Sequence, residues 1–442
     1  SSQECEPAAT ARPDRGSPSA VLILDLDGFK PINDLHGHAA GDLVLTEVAR
    51  RLLAQSRDCD VTARLGGDEF ALILDCNEGD PAATAAECAR RLSAILAAPM
   101  TLDGQSVQVS ASVGIAICPA DGTDADTLMR AADMAMYRAK QESRGAFRMF
   151  QPSMESALRE RMALEEDIRR AVAGERIEPH FQPLMRLAEN RLVGFEILAR
   201  WRHPILGDVP PDTFIPVVEK LGLIGEMTYS ILRRACLAAR DWPQDITLAL
   251  NVSPVHFSDP LLPVKTLAIL SEVGFPSTRL EIEITETALT ADIEAARTAL
   301  TTLQSLGIRI SLDDFGVGYS NLYNLRELHF DKIKIDRSFV QAMQSNSGSA
   351  KIVRSVIELA KSLGLPTIAE GIEHQDSLRQ IMSSGGEFGQ GFFFGKAMPA
   401  SEAEALLREH ARREDRYEGP GPTAGLPGRK ARRPRGTSSG EA

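Results

Sequence analysis

The runs LEIEITE at residues 280–286, IRISLDD at 308–314, KIKID at 332–336 and PTIAE at 366–370 follow one pattern: a short apolar stretch that closes on a carboxylate. HFQPL (180–184), LVGFEILAR (192–200), ITLALNVS (246–253) and the stretch around GQGFFFG (389–395) read as strands of the same kind, and helical patterns lie between them. Eight strands alternating with helices predict a TIM-like (β/α)8 barrel over residues 176–411. In such barrels the groups that do chemistry stand at the C-terminal ends of the strands. The polar residues expected there are Glu196, Asn251, Glu283, Asp313, Asp314, Asp336 and Glu370.

Carboxylates and an amide gathered at one barrel mouth repel one another unless cations sit among them. Oxygen-only ligands suit Mg²⁺ or Mn²⁺ rather than zinc. Neighbours on an extended strand point to opposite faces, so Asp313 and Asp314 are expected to converge only where their strand ends. There one carboxylate bridges two metals and its neighbour binds the second, the arrangement that supports in-line phosphoryl displacement. Lys334, on the next strand, is placed to orient the water or neutralise developing charge. Taken singly, each residue reads as a rim glutamate, a turn cap or a surface lysine. The joint pattern is what those readings fail to explain.

Upstream, residues 20–150 form a different block, of α+β character. Asp25 and Asp27 lie two apart on the apolar strand VLILDLDGFK (21–30), so their side chains share a face. A tight hairpin follows in VTARLGGDEFALIL (61–74), whose two glycines let the chain turn sharply and approach a phosphate. Asp68 lies just past that turn and joins Asp25 as a candidate metal ligand on a triphosphate. Asn33 and Asp42 each match part of guanine's hydrogen-bonding edge. Lys140 and Arg144 are expected at i, i+4 on one helix, as a phosphate clamp. Residues 151–175 read as a connecting helix, with Met154, Leu158, Met162, Leu164, Ile168 and Val172 at helical spacing. Residues 1–19 and the basic stretch 412–442 read as disordered tails.

Composition narrows the function. The net charge of −12 argues against a duplex DNA reader and requires local cations or metals for any phosphate-rich ligand. Six scattered cysteines without a CxxC pair point to reduced thiols and a cytoplasmic setting. No apolar run is long enough to span a membrane.

The second block resembles the EAL family of cyclic di-GMP phosphodiesterases through FQP (181–183), GFEILARW (194–201), NVSP (251–254), LEIEITET (280–287), LDDFGVGYSNL (312–322), KIKIDRSFV (332–340), TIAEGIE (367–373) and GQGFFFG. The resemblance implies Glu196, Asn251, Glu283 and Asp313 as ligands of a first metal. It implies Asp313, Asp314 and Glu370 for a second metal and its water, with Lys334 and Glu370 catalytic. Gln182, Arg200 and Gln390 match substrate-holding positions. Glu286 matches the glutamate that supports the loop after the Asp pair, and Glu373 follows the catalytic glutamate. Two departures stand out: Ile197 within the signature, and Asn321 where the family usually has Ser.

The first block resembles the GGDEF family of diguanylate cyclases, a nucleotide-cyclase palm-like fold, through DLDGFKPIND (25–34), GHAAGD (37–42), RLGGDEFALIL (64–74), SVGIAICP (112–119) and YRAKQESRG (137–145). It implies Asp25 and Asp68 as ligands of the Mg²⁺ that accompanies GTP, and Glu69 as a catalytic acidic residue. It implies Asn33 and Asp42 for guanine, and Lys30, Lys140 and Arg144 for phosphates. Arg57 and Asp60 fit the RxxD inhibitory site for the product. The family's leading helix, with its DxLTGLxNR stretch, has no counterpart in residues 1–19, so that helix is expected to be missing.

The expected protein is thus a GGDEF–EAL tandem. It would open cyclic di-GMP to pGpG with two Mg²⁺ or Mn²⁺ ions, use its first domain as a GTP-binding regulator, and act as a homodimer. Two alternatives stay open: a bifunctional cyclase and phosphodiesterase, and a receptor that binds cyclic di-GMP without cleaving it.

Overall fold

In a computed structural model, residues 18–417 are described apart from 78, 103–104, 287, 289–292 and 317–327. Most of both predicted tails, and Asn321 with most of its loop, lie outside the described residues; of the stretch 412–442 read as a tail, residues 412–417 are instead the end of a helix. The chain divides into two compact units, Ser1–Leu164 and Glu165–Ala442.

The first unit is built on β1 (Ser19–Asp27), α1 (Phe29–His36), α2 (His38–Leu53), β2 (Val61–Gly66), β3 (Glu69–Asp75), α3 (Pro81–Leu96), β4 (Met100–Leu102), β5 (Gln105–Val107), β6 (Ser110–Cys118), α4 (Ala125–Glu142) and β7 (Phe147–Met149). Its main sheet runs β2-β3-β1-β6-β7, with β1 central and antiparallel to β3 and β6. β1 is an unbroken apolar run because both its faces are covered. Leu22, Leu24 and Leu26 join one core with Leu45, Val48 and Leu92, whereas Val21 and Ile23 join another with Leu128, Ala132 and Met136. At Gly114 a Cβ would stand 1.9 Å from the Ala132 carbonyl oxygen, so β6 and α4 touch backbone to backbone. That close approach carries Lys140, near the end of α4, to the end of β1.

α5 (Pro152–Ala173) leads into the second unit. The unit contains β8 (Ile177–Arg186), β9 (Arg191–His203), β10 (Gly207–Val209), α6 (Pro211–Lys220), α7 (Ile224–Ala239), β11 (Thr247–Asn251), α8 (Leu262–Val273), β12 (Leu280–Thr285), α9 (Ile293–Ser305) and β13 (Arg309–Phe315). It continues with β14 (Lys332–Ile335), α10 (Arg337–Ala342), α11 (Ser347–Ser362), β15 (Thr367–Ala369), α12 (Gln375–Ser384), β16 (Phe388–Gln390) and α13 (Ala400–Tyr417). The sheet order β9-β11-β12-β13-β14-β15-β16-β8 closes through β8–β9 pairing, giving the eight-stranded barrel.

One strand departs from simple alternation. β8 runs antiparallel to both β9 and β16. Only residues 187–190 join β8 to β9, with Asn190 left-handed at φ 49°, so the first two strands form a hairpin without a helix between them. A connection that short admits only antiparallel pairing.

The barrel interior carries charge at two depths. Beneath the mouth, Lys332 Nζ lies 2.5 Å from Glu281 Oε2, and the Ser311 hydroxyl donates to Glu281 Oε1. All three side chains are buried. Removing one partner of a buried ion pair leaves the other charge uncompensated. Lys332→Met is therefore expected to destabilise the protein by about 3–5 kcal/mol, read as a lowered urea midpoint. A loss under about 1 kcal/mol would mean that Glu281 is not held as a buried anion.

Candidate functional site

Lys334, on β14, projects into the barrel above Lys332 and is 1% exposed. Its ammonium lies 2.7 Å from Glu283 Oε2, 2.6 Å from Glu370 Oε1, 3.4 Å from Asp313 Oδ2 and 3.6 Å from Glu196 Oε2. The strands supply these groups in order: Glu196 from β9, Glu283 from β12, Asp313 from β13 and Lys334 from β14, with Glu370 just past β15. Amides complete the ring. Asn251 Nδ2 donates to Glu196 Oε1 at 2.6 Å. Gln390 Nε2 donates to Glu196 Oε2 at 2.5 Å and to Gln182 Oε1 at 3.0 Å, and Gln182 Nε2 donates to the Gly395 carbonyl.

Two expectations about how these groups meet need correcting. Glu196 is not at a strand end but midway along the 13-residue β9, whose outer part also pairs with β10. Asp313 and Asp314 do not converge at a strand end either, since β13 continues to Phe315. Instead the register with β14 shifts between Leu312 and Phe315, and Asp314 adopts a left-handed φ of 56°. That bulge spoils the alternation that would otherwise point the pair apart.

The charge balance is lopsided, with four carboxylates around one ammonium. Burial drives the Glu283 carboxyl well above the usual carboxylate range, and the neighbouring Glu196 and Asp313 charges add to the effect against Lys334. Glu370 is pushed up to about 8, first by burial and then by Asp313 and Glu196, against the pull of Lys334. Asp314 rises to about 6 through burial and the charges of Asp313 and Asp336. Burial would raise Glu196 as well, but Lys334 and the Gln390 and Asn251 amides hold it below its usual value. Among the described residues, no three acidic, His or Cys side chains are spaced to hold a metal as they stand, because the carboxylates are drawn in around Lys334. Their chemistry nevertheless fits hard divalent cations: the donors are oxygens, they are buried, and they are short of positive charge.

Four residues beyond Glu196 on β9, Arg200 lines a cavity of about 950 Å³ with His180, Trp201, Arg202, Asp208 and Pro210. Of these, sequence reasoning singled out only Arg200. The antiparallel register that pairs Gln182 with Glu196 and Glu178 with Arg200 is the signal that links the cavity to the cluster. Glu286 follows β12, half-buried, next to residues outside the description. Glu373 is exposed and accepts from Gln341 Nε2 at 2.9 Å.

In the first unit, Lys140 Nζ lies 2.5 Å from Asp25 Oδ2, and Asp25 stands opposite Glu69 across the β1–β3 pairing. Burial raises both carboxyls; Asp68 adds to each, and Asp25 adds further to Glu69. The Leu26 N–H donates to the Asp68 carbonyl, which ties the hairpin turn to β1. Asp27 shares the face of Asp25 but serves another end: it accepts from the Ser110 and Ser112 hydroxyls and the Gly145 N–H. Asn33 packs against Gly41, next to Asp42, while Lys30 is exposed. Arg144 is not on a helix with Lys140. α4 ends at Glu142, Ser143 is extended, and Gly145 turns at φ 77°, which brings its N–H to Asp27. Arg57 holds Asp60 through Nε and Nη2, and Nη2 also donates to the Asp75 carbonyl.

Residues 165–397, just over half of the chain, match the EAL domain family model. Residues 3–146 match the model for the diguanylate cyclase, GGDEF domain. The chain is a member of the EAL family, in GGDEF–EAL tandem form. An uncharacterized signaling protein of Caulobacter vibrioides is 43% identical over 384 residues, 87% of this chain and 47% of that protein. The bifunctional diguanylate cyclase/cyclic di-GMP phosphodiesterase MucR of Pseudomonas aeruginosa is 38% identical over 392 residues, 88% of this chain and 57% of MucR. The chain spans about half the length of the curated relatives it matches. A solved structure, the PaMucR phosphodiesterase in complex with c-di-GMP, is 33% identical with a TM-score of 0.53, covering 55% of this chain and 99% of that one. No helix among the described residues of the tandem is long and apolar enough to cross a membrane.

Proposed function

We propose that this tandem protein hydrolyses cyclic di-GMP to linear pGpG at the mouth of its EAL barrel with two Mg²⁺ or Mn²⁺ ions. Four carboxylates converging on one fully buried ammonium carry the reading. The likeness to a phosphodiesterase solved with c-di-GMP supports it. Glu196, Asn251, Glu283 and Asp313 would hold one ion, and Asp313, Asp314 and Glu370 the other. Bound there, the ions would supply a nucleophilic water at neutral pH and offset the charge of in-line displacement.

The chain's own residues do the rest. The Lys334 ammonium orients the attacking oxygen and neutralises charge building on the phosphate. Glu370 Oε1, 2.6 Å from the Lys334 ammonium, is placed to take the proton that the attacking water gives up. Gln182, Gln390 and Arg200 orient the dinucleotide, with the adjoining cavity for a base. Water oxygen joins phosphorus, the bond to the 3′ oxygen breaks, and that oxygen takes a proton, leaving a 5′-phosphate. The decisive experiment incubates the protein with cyclic di-GMP and Mg²⁺ and separates the products. Wild type should form pGpG and Glu196→Ala should not. Binding without cleavage by wild type would leave a receptor instead.

The GGDEF unit, in this reading, binds GTP with Mg²⁺ at Asp25 and Asp68 and regulates the barrel. A second reading is favoured by the pairing of Asp25, Glu69 and Lys140 at one strand end: the unit also condenses GTP, which needs two copies facing each other in a homodimer. Incubation with GTP and Mg²⁺ should then give cyclic di-GMP from Glu196→Ala, whose barrel does not cleave it, and none from the double variant Glu69→Ala with Glu196→Ala. A product formed equally by both would exclude this unit as its source.

A further inference from the structure

Four members of the reactive layer have a partner of the lower layer two residues below them on the same strand. Glu281 lies below Glu283 on β12, Ser311 below Asp313 on β13, Lys332 below Lys334 on β14, and Phe388 below Gln390 on β16. Residues two apart on a strand share a face about 6.6–6.8 Å apart. The lower set is connected within itself: Glu281 accepts from Lys332 at 2.5 Å and from the Ser311 hydroxyl, and Lys332 Nζ lies 5.3 Å from the centre of the Phe388 ring. Both oxygens of Glu281 are thereby used, and the layer is neutral.

We propose that the Glu281–Ser311–Lys332 layer is a positioning device for the phosphodiesterase centre above it. This rests on the phosphodiesterase reading. Apolar residues in the same place would fill the barrel, and replacing a buried ion pair by apolar side chains is often neutral or stabilising. Directional bonds do something packing does not. They fix β12, β13 and β14 in register, so that Glu283, Asp313 and Lys334 arrive at fixed heights. A site of this kind tolerates misplacement of only about 0.5 Å. The pair thus serves alignment, and Lys332 and Glu281 are positioning residues that touch no substrate.

The test replaces both charges, Glu281→Met with Lys332→Met, and measures the melting temperature, Mn²⁺ affinity by calorimetry, and kcat and KM separately. The double variant should melt close to wild type. Its kcat and Mn²⁺ affinity should each fall roughly 10- to 100-fold, the usual cost of losing a partner behind the ligands, with KM nearly unchanged. Full kcat and Mn²⁺ affinity in the folded double variant would overturn the proposal. Should that variant not fold, Ser311→Ala removes one bond to Glu281 and keeps the ion pair. A several-fold drop in kcat and Mn²⁺ affinity at an unchanged melting temperature supports the proposal, and unchanged values overturn it. If wild type itself cleaves nothing, the phosphodiesterase reading fails, and Mn²⁺ affinity alone decides the positioning role.

Discussion

Lys334→Ala is expected to lower kcat for cyclic di-GMP by roughly 10²–10³-fold while the protein still binds the dinucleotide. Losses of that size follow when one preorganised donor to a developing charge is removed from a water-poor site. Lys334 is such a donor, buried to 1% exposure, its position set by contacts to four carboxylates. The same substitution has a second consequence that does not depend on turnover. Without the ammonium, Glu196, Glu283, Asp313 and Glu370 face one another in a buried space, so the metal-free variant should melt well below wild type. Divalent cations compete with Lys334 for those oxygens. Mn²⁺ should therefore raise the melting temperature of Lys334→Ala more than that of wild type. Retained kcat would remove the lysine from the mechanism. Equal Mn²⁺ stabilisation of both proteins would show that the lysine and the metals do not share ligands.

Much of this was legible in the sequence because most barrel strands are short apolar runs with an acidic or amide residue in or just past them. The convergence of Glu196, Asn251, Glu283, Asp313, Lys334 and Glu370 follows from barrel closure alone. What stayed hidden was local. Glu-Ile-Glu at 281–283 and Lys-Ile-Lys at 332–334 alternate charge with apolar residues, the pattern of a strand with one face in water. Inside this barrel the charged face is the buried one, so the alternation at Glu281 and Lys332 does not mark a water-facing side. The inverted first strand was hidden as well, since pairing direction depends on the four residues between β8 and β9 and not on the strands themselves. At Asp313–Asp314 a bulge does what a strand end was expected to do, and a bulge leaves no composition signal unless glycine marks it. Arg144 looked helical because four residues separate it from Lys140; the extended Ser143 between them ends the helix.

Mn²⁺ or Mg²⁺ affinity of the barrel is expected to rise about tenfold or more per pH unit between pH 6 and 8. Burial, followed by the Asp313 and Glu196 charges, pushes Glu370 up to about 8. Below that value Glu370 holds a proton, and a cation that needs its carboxylate must expel it, so binding releases about one proton from Glu370 in addition to any that Glu283, also driven up by burial, gives up. Asp314, at about 6, adds a smaller release at the acid end of the range. The stability of the metal-free protein runs the other way. A carboxyl whose folded value exceeds its ordinary 4.5 binds its proton more tightly when folded. The stability it contributes is complete below 4.5 and is lost as the pH rises through about 8. The metal-free melting temperature should therefore fall from pH 6 to pH 8, while the increase produced by Mn²⁺ grows over the same range. Calorimetry in buffers of different ionisation enthalpy counts the released proton directly. In Glu370→Gln the proton release near pH 7 should fall by about one, and the affinity should lose the corresponding part of its slope. An affinity that is flat from pH 6 to 8 in wild type would mean that Glu370 is already ionised at pH 6, and that Lys334 alone neutralises the cluster.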